Sequence, residues 1–225
     1  MYLCVMKQYS LSEENYLKTI FHLEQIADGN VSTNDIAEKM ETKASSVSDM
    51  IRKLGEKNLV DYIKYQGVTL TDRGRKTALR VIRKHRLWEV FLVEKLDFQW
   101  DEVHEIAEEL EHIESEELIS RLDAYLGHPE FDPHGDPIPD ANLRIAKIEK
   151  RLLSELRIHQ RGICVGVHES DNDFLQYLDK RQIGIGTKVF VEDIETFDGS
   201  MTILVDDNRY FISKKIAENI YVQIT

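Results

Sequence analysis

All four prolines of this 225-residue chain fall in one stretch, GHPEFDPHGDPIPD, residues 127–140. Proline has no backbone N–H to donate and pushes the residue before it out of the helical region, so such a cluster interrupts regular structure and marks a boundary. The apolar pattern differs on its two sides. Ahead of it the spacing is helical. From Gly162 onward short runs rich in β-branched and aromatic residues take over, namely GICVGVH, KVFVEDI, MTILVDD and RYFIS, with a helical piece around 174–178. The chain is therefore expected to be mainly α, closing in a small β-rich domain. The turn itself reads either as a plain linker or, through Asp132, His134 and Asp136, as a stiff source of ligands.

Within the helical part, Tyr16, Leu17, Ile20, Phe21, Leu23 and Ile26 keep the spacing of one helix. Gly29-Asn30 then turns the chain, Ser32 or Thr33 can cap, and Ile36, Ala37 and Met40 form a short stripe. A second helix follows, with Val47, Met50, Ile51 and Leu54 at core spacing. Two short helices joined by a tight turn form a helix-turn-helix candidate. LVDYIKYQGVTLT then reads as a hairpin with Gly67 near its tip, which completes the winged-helix order. A long helix spans 73–96, and 100–126 returns to helix. Residues 142–159 are expected to be helical as well.

Net charge is −12, which by itself disfavours nucleic acid, but the charges are segregated. Residues 43–86 hold 12 Lys/Arg against 4 Asp/Glu, a surplus of +8, whereas residues 87–141 hold 17 Asp/Glu against Lys95 and Arg121, or −15. A basic block suggests a polyanion partner and an acidic block suggests cations. On the second helix of the motif, Ser45, Ser46, Ser48, Asp49, Arg52 and Lys53 lie away from the apolar stripe. Serines and Arg52 suit phosphates or base edges, and Asp49 suits cytosine. Lys64 and Tyr65 of the hairpin are wing candidates. Asp49 is the surprise, since a carboxylate repels phosphate.

The acidic block contains HEIAEELEH, residues 104–112, with two histidines, four glutamates and no cation. At about 100° per residue, His104, Glu108, Glu111 and His112 share one stripe opposite Ile106, Ala107, Leu110 and Ile113. The plain reading is a solvated acidic face, although such faces usually mix Glu with Lys. HEIAE is not the HExxH of zinc proteases, and the lone Glu109-x-x-His112 pair falls short of a di-iron bundle. A metal site without catalytic apparatus remains.

The strings ENYLKTIFHLE, ASSVSDMIRKL, RKHRLWEVFL, VHEIAEELEH and DPHGDPIP, in this order over nearly the whole chain, resemble the diphtheria toxin repressor family of metal-dependent repressors. That resemblance implies a cytoplasmic homodimer that binds a palindromic operator when loaded with Mn²⁺ or, alternatively, Fe²⁺, and an SH3-like last domain. It implies a primary metal site of His85, Glu108, Glu111 and His112, with Asn15 offering a carbonyl oxygen. It implies a second site from Glu89, His104, Asp132 and His134, closed by Asp171 or Asp173 of the HESDND run, and hence two ions per chain. Two departures stand out. The toxin-repressor branch has cysteine in place of Glu108. The short manganese branch has an aspartate and a glutamate where this chain has Asn15 and Lys18, and Lys18 argues against a binuclear centre.

The expected division is a winged helix-turn-helix over 1–76, a helical metal-binding and dimerisation domain over 77–141, a linker helix over 142–161 and the SH3-like domain over 162–225. MYLCVMKQYS has no signal-peptide pattern and no apolar run is long enough to span a membrane. Cys4 and Cys164 lie far apart, which suits a reducing compartment. No nucleophile–base pairing or phosphate loop is apparent, so a small-molecule substrate is not expected. A metal-independent winged-helix protein and, last, a metalloenzyme are the competing classes.

Overall fold

A computed structural model describes residues 9–27, 29–63, 66–168 and 171–225. The chain forms two compact units. One gathers the residues up to His85 with Glu108–Ser120 and Pro139–Arg144; the other gathers Arg86–Ala107, Arg121–Ile138 and Ile145–Thr225.

In the first unit, α1 (Leu11–Ala27) buries Tyr16, Leu17, Ile20 and Phe21 of the six expected apolar positions, whereas Ile26 near its end is exposed. Ser32 starts α2 (Thr33–Lys39) with a capping box to Asp35, which satisfies otherwise orphaned N–H groups. The second motif helix is α3 (Ala44–Glu56), whose Val47, Ile51 and Leu54 are buried. Strands β1 (Val60–Ile63) and β2 (Gly67–Leu70) pair antiparallel. Gly67 opens β2 at φ +113°, where a Cβ would meet the Val31 carbonyl oxygen that bonds the Val68 N–H. The winged helix-turn-helix is thus as expected. Lys64 and Tyr65, the wing candidates, lie outside the described residues.

The long helix is α4 (Asp72–Leu96). The acidic segment forms two helices rather than one, α5 (Val103–Leu110) and α6 (Glu116–Tyr125). Glu111 and His112 therefore stand in the turn after α5, not on a continuous stripe.

In the second unit, a six-stranded antiparallel sheet runs in the order β3 (Arg151–Leu152), β8 (Ile220–Ile224), β4 (Arg161–Val167), β5 (Lys188–Ile194), β6 (Met201–Val205), β7 (Asn208–Ile212). It carries the short helices α7 (Asn172–Asp179) and α8 (Lys214–Ala217). Val189, Val191, Ile203, Val205 and Val222 alternate inward to form its core. The linker helix expected over 142–161 is not formed. Residues 145–150 have no regular structure, Arg151 and Leu152 pair with β8, and Leu153 and Leu156 are buried in the β-domain core. The segment is instead a short strand followed by a 3₁₀ turn, so tertiary packing overrides local propensity.

Candidate metal-binding and DNA-binding sites

The first pocket lies between α1, α4 and the turn after α5. Glu111 is wholly buried. One of its oxygens lies 2.7 Å from His85 Nδ1, and Lys18 Nζ of α1 donates to both, at 2.8 and 2.9 Å. Lys18 Nζ also reaches Glu108 Oε1 at 3.2 Å. His112 Nε2 is 3.6 Å from Glu111 Oε1, and its Nδ1 is 2.6 Å from Glu14 Oε2. Burial alone would push the Glu111 carboxyl up; the His85 hydrogen bond and the Lys18 charge outweigh it and hold the group below its ordinary value. Beside Glu14 on α1, Asn15 has a buried side-chain oxygen with no hydrogen-bond partner. A buried unpaired carbonyl oxygen is costly, and a cation is one partner that would satisfy it.

Of the expected primary residues, Glu111 stands directly beside His85 and His112 and shares Lys18 with Glu108, but they do not form a row on a solvated face. Glu108 alone is half exposed, and Glu111 is a core residue. Glu14, which carries no metal-ligand pattern in the sequence, also takes part. Glu14 and Lys18 stand one turn apart on α1, yet Glu14 reaches His112 and Lys18 reaches Glu111.

The second pocket belongs to the other unit. Glu89 on α4 is 2% exposed, and its Oε1 lies 3.5 Å from His104 Nδ1 and 3.7 Å from His134 Nδ1. One ligand atom from each of Glu89, Asp132 and His134 lies within 4.8 Å of the others, and all three residues are buried. The Pro-rich turn is held from α4 by Arg86, which donates to the Pro137 carbonyl at 2.6 Å and pairs with Asp132 and Asp136, both at 3.3 Å. Gly135, at φ +84°, lies so close to Val165 on β4 that no Cβ fits, and the Val167 N–H donates to the His134 carbonyl. The turn is thus a fixed part of the unit and not a free linker. Burial, with Glu89 beside it, pushes the Asp132 carboxyl up to about 7 despite Arg86. Burial would lower His134, but Glu89 and Asp132 outweigh it and raise it to about 9.

Asp171 and Asp173 do not join this triad. The Asp171 carboxylate caps α7, accepting from the Asp173 and Phe174 N–H groups, and is committed there. Asp173 is exposed. His134 Nε2 lies instead 2.8 Å from the Trp100 carbonyl oxygen. Arg86 and Trp100 went unread, because a basic-block arginine and a tryptophan carry no ligand signal.

On the reading helix, Ser45, Ser46, Ser48, Asp49, Arg52 and Lys53 are all exposed. Arg52 pairs with Asp49 at 3.3 Å, so the acidic side chain is neutralised locally. Ser48 donates to the Ala44 carbonyl. Glu13 of α1, 1% exposed, binds Lys53 at 3.1 Å and Lys57 at 2.8 Å. Burial would raise the Glu13 carboxyl, but Lys57, the Ser10 N–H and Lys53 bring it down to about 2.

Family models match three successive stretches: an iron-dependent repressor N-terminal DNA-binding domain at residues 9–68, an iron-dependent repressor metal-binding and dimerisation domain at 71–140, and a FeoA domain at 151–224. The chain belongs to the diphtheria toxin repressor family of metal-dependent transcriptional repressors. Among solved structures, a manganese-dependent transcriptional repressor in complex with manganese is similar over 95% of this chain and 100% of its own, at 37% identity and a TM-score of 0.87. The manganese regulator SloR is similar over 95% and 98%, at 33% and 0.76. The diphtheria toxin repressor of Corynebacterium efficiens is 29% identical over 90% of this chain and 94% of its own length. The iron-dependent repressor IdeR of Mycobacterium leprae is 36% identical over 126 residues; the match covers 56% of this chain and 54% of that protein. A probable metal transport system membrane protein of Chlamydia trachomatis is 38% identical over 58% of this chain, but only 30% of that protein is spanned. Among the described residues no helix is long and apolar enough to cross a membrane.

Proposed function

We propose that this chain is a cytoplasmic Mn²⁺-responsive repressor that binds a palindromic operator as a homodimer, with the first pocket as its controlling metal site and the second as a supporting one. The observation that carries the reading is the donor set of the first pocket. Glu108 and Glu111 supply carboxylate oxygens, His85 and His112 supply imidazoles, and Asn15 holds a buried oxygen without a partner. No thiolate is among them, and oxygen-rich sites with some imidazole favour Mn²⁺, then Fe²⁺, over structural zinc. The two similar manganese-dependent proteins point the same way. His134, Asp132, Glu89 and His104 would hold a second ion.

A bound divalent ion supplies one positive centre that several anionic and imidazole donors can share. The chain's own residues turn that into a signal. His85 brings α4 to the pocket, Glu111 brings the turn after α5, and Glu14 through His112 brings α1. Glu13, the neighbour of Glu14, grips Lys53 and Lys57 at the end of the reading helix. A shift of α1 would therefore be passed to α3 through a charged clamp whose carboxylate is buried and whose lysines face solvent. Two reading heads must stand about 34 Å apart to enter successive major grooves of one operator, so a small selected shift is enough to switch binding. Ser45, Ser46, Ser48, Arg52 and Lys53 are the contact candidates, with Asp49 orienting Arg52.

Selection of operator DNA from random duplexes, repeated with Mn²⁺, with anaerobic Fe²⁺ and with chelator, tests this. A palindrome enriched with Mn²⁺, and less strongly with Fe²⁺, is expected. The same palindrome enriched in chelator would make the chain a metal-independent DNA-binding protein.

A further inference from the structure

The first pocket already contains a cation of its own. Lys18 Nζ donates to both oxygens of Glu111 and to Glu108 Oε1, at 2.8, 2.9 and 3.2 Å. Its side chain is 13% exposed and that of Glu111 is 0% exposed, so this is an enclosed ion pair and not a surface one. Taking an ammonium out of water is costly unless carboxylates compensate, and here two do. The same oxygens are those a divalent ion would need. An ammonium bound to them repels any incoming cation, and the repulsion is strong because little water screens it. The lysine also has a way out. Glu108 is half exposed, and a lysine head on a flexible four-carbon stem can follow it to solvent, which the planar fork of an arginine does less readily.

We propose that Lys18 is a tethered competitor: its ammonium and the activating divalent ion contend for the same oxygens of Glu111 and Glu108, and this contest sets the ion concentration at which the pocket fills. The inference rests on the reading of this pocket as the controlling metal site. It adds that α1 is fastened to the turn after α5 in either state, by the ammonium or by the ion. An ion bound there would replace the ammonium on these oxygens, and the exchange would let α1 shift.

The test is Mn²⁺ binding to the full-length protein without DNA, by calorimetry and by electron paramagnetic resonance of free Mn²⁺. The component read is the one that disappears in Glu111→Ala. Lys18→Met removes the charge and keeps the stem; affinity for that component is expected to tighten about tenfold. Lys18→Arg keeps the charge and is expected to bind no more tightly than the parent. If Lys18→Met fails to fold by circular dichroism, Lys18→Gln takes its place under the same criterion. An affinity that is weaker, unchanged or less than about threefold tighter overturns the proposal, because a structural strut or a supporting charge gives those results. Should Glu111→Ala bind Mn²⁺ as the parent does, it is the metal-site reading that fails, and the two failures are thereby told apart.

Discussion

Glu111 and Asp132 are both enclosed carboxylates beside a histidine, yet their neighbours drive them in opposite directions. His85 and Lys18 hold Glu111 below its ordinary value, while burial and Glu89 push Asp132 up to about 7. The difference lies in the cations within reach. The first pocket has a lysine on a flexible stem whose ammonium is held by the Glu111 and Glu108 carboxylates. The second has Arg86, whose guanidinium is also fixed on the Pro137 carbonyl and cannot be given up without loosening the turn. Its remaining negative charge is met by a proton held on His134, raised to about 9. On the reading proposed above, the first pocket would exchange its counter-charge and the second would keep a shape, a sensor in one place and a brace in the other.

The comparison breaks most visibly at its two fixed points. Glu111→Gln keeps the volume but removes the charge that binds Lys18 and His85. Mn²⁺ affinity of the first pocket is expected to fall about 100-fold or more, with a stability loss of about 1–3 kcal/mol from the stranded partners, read by calorimetry and urea unfolding. Arg86→Met is the counterpart in the second unit. Leaving Asp132 and Asp136 without their guanidinium is expected to cost about 3 kcal/mol and to open the Pro-rich turn to protease. Arg86→Lys should not restore it, because the fork serves three partners at once; full recovery by lysine would remove the brace from the account.

A smaller effect is expected from His134→Ala. The protein should bind one Mn²⁺ per chain fewer than the parent, counted by mass spectrometry or elemental analysis, and be cleaved faster within 127–142. Equal metal content and equal cleavage would return that turn to a connecting role. The smallest effect belongs to the clamp on the reading helix. Glu13 titrates near 2 when folded and near its ordinary 4.5 when unfolded, so its carboxylate stabilises the fold above pH 4.5 and that contribution disappears as pH falls toward 2. Glu13→Gln is expected to cost about 1–2 kcal/mol at pH 7, discounted because Lys53 and Lys57 face solvent, and much less at pH 2. Equal losses at both pH values would show a packing effect instead.

Much of the fold was readable in the chain. Tyr16, Leu17 and Ile20 announce α1 by period, Ser32 announces the start of α2 by cap chemistry, and the prolines mark the change from helix to sheet. These signals are local, so one strand of sequence carries them. What was not readable depends on what lies across the fold. Residues 142–161 read as a helix, but β8 pairs with Arg151 and Leu152, and Leu153 and Leu156 pack in the β-domain core. Asp171 sits in an acidic run that suggests metal, but the start of α7 claims its oxygens. Within the first pocket the residue types were legible and the charge balance was not. Lys18 and Glu14 sit one turn apart on α1, and only the fold sends one to Glu111 and the other to His112.

The most direct test sets the two pockets against each other on DNA. Operator affinity is measured by fluorescence anisotropy, with Mn²⁺ and with chelator, for the parent, Glu111→Gln and His134→Ala. The account predicts that Mn²⁺ strengthens binding in the parent and in His134→Ala, and leaves Glu111→Gln at its chelator value. A Glu111→Gln protein that still responds to Mn²⁺, beside a His134→Ala protein that does not, would contradict it and exchange the roles of sensor and brace.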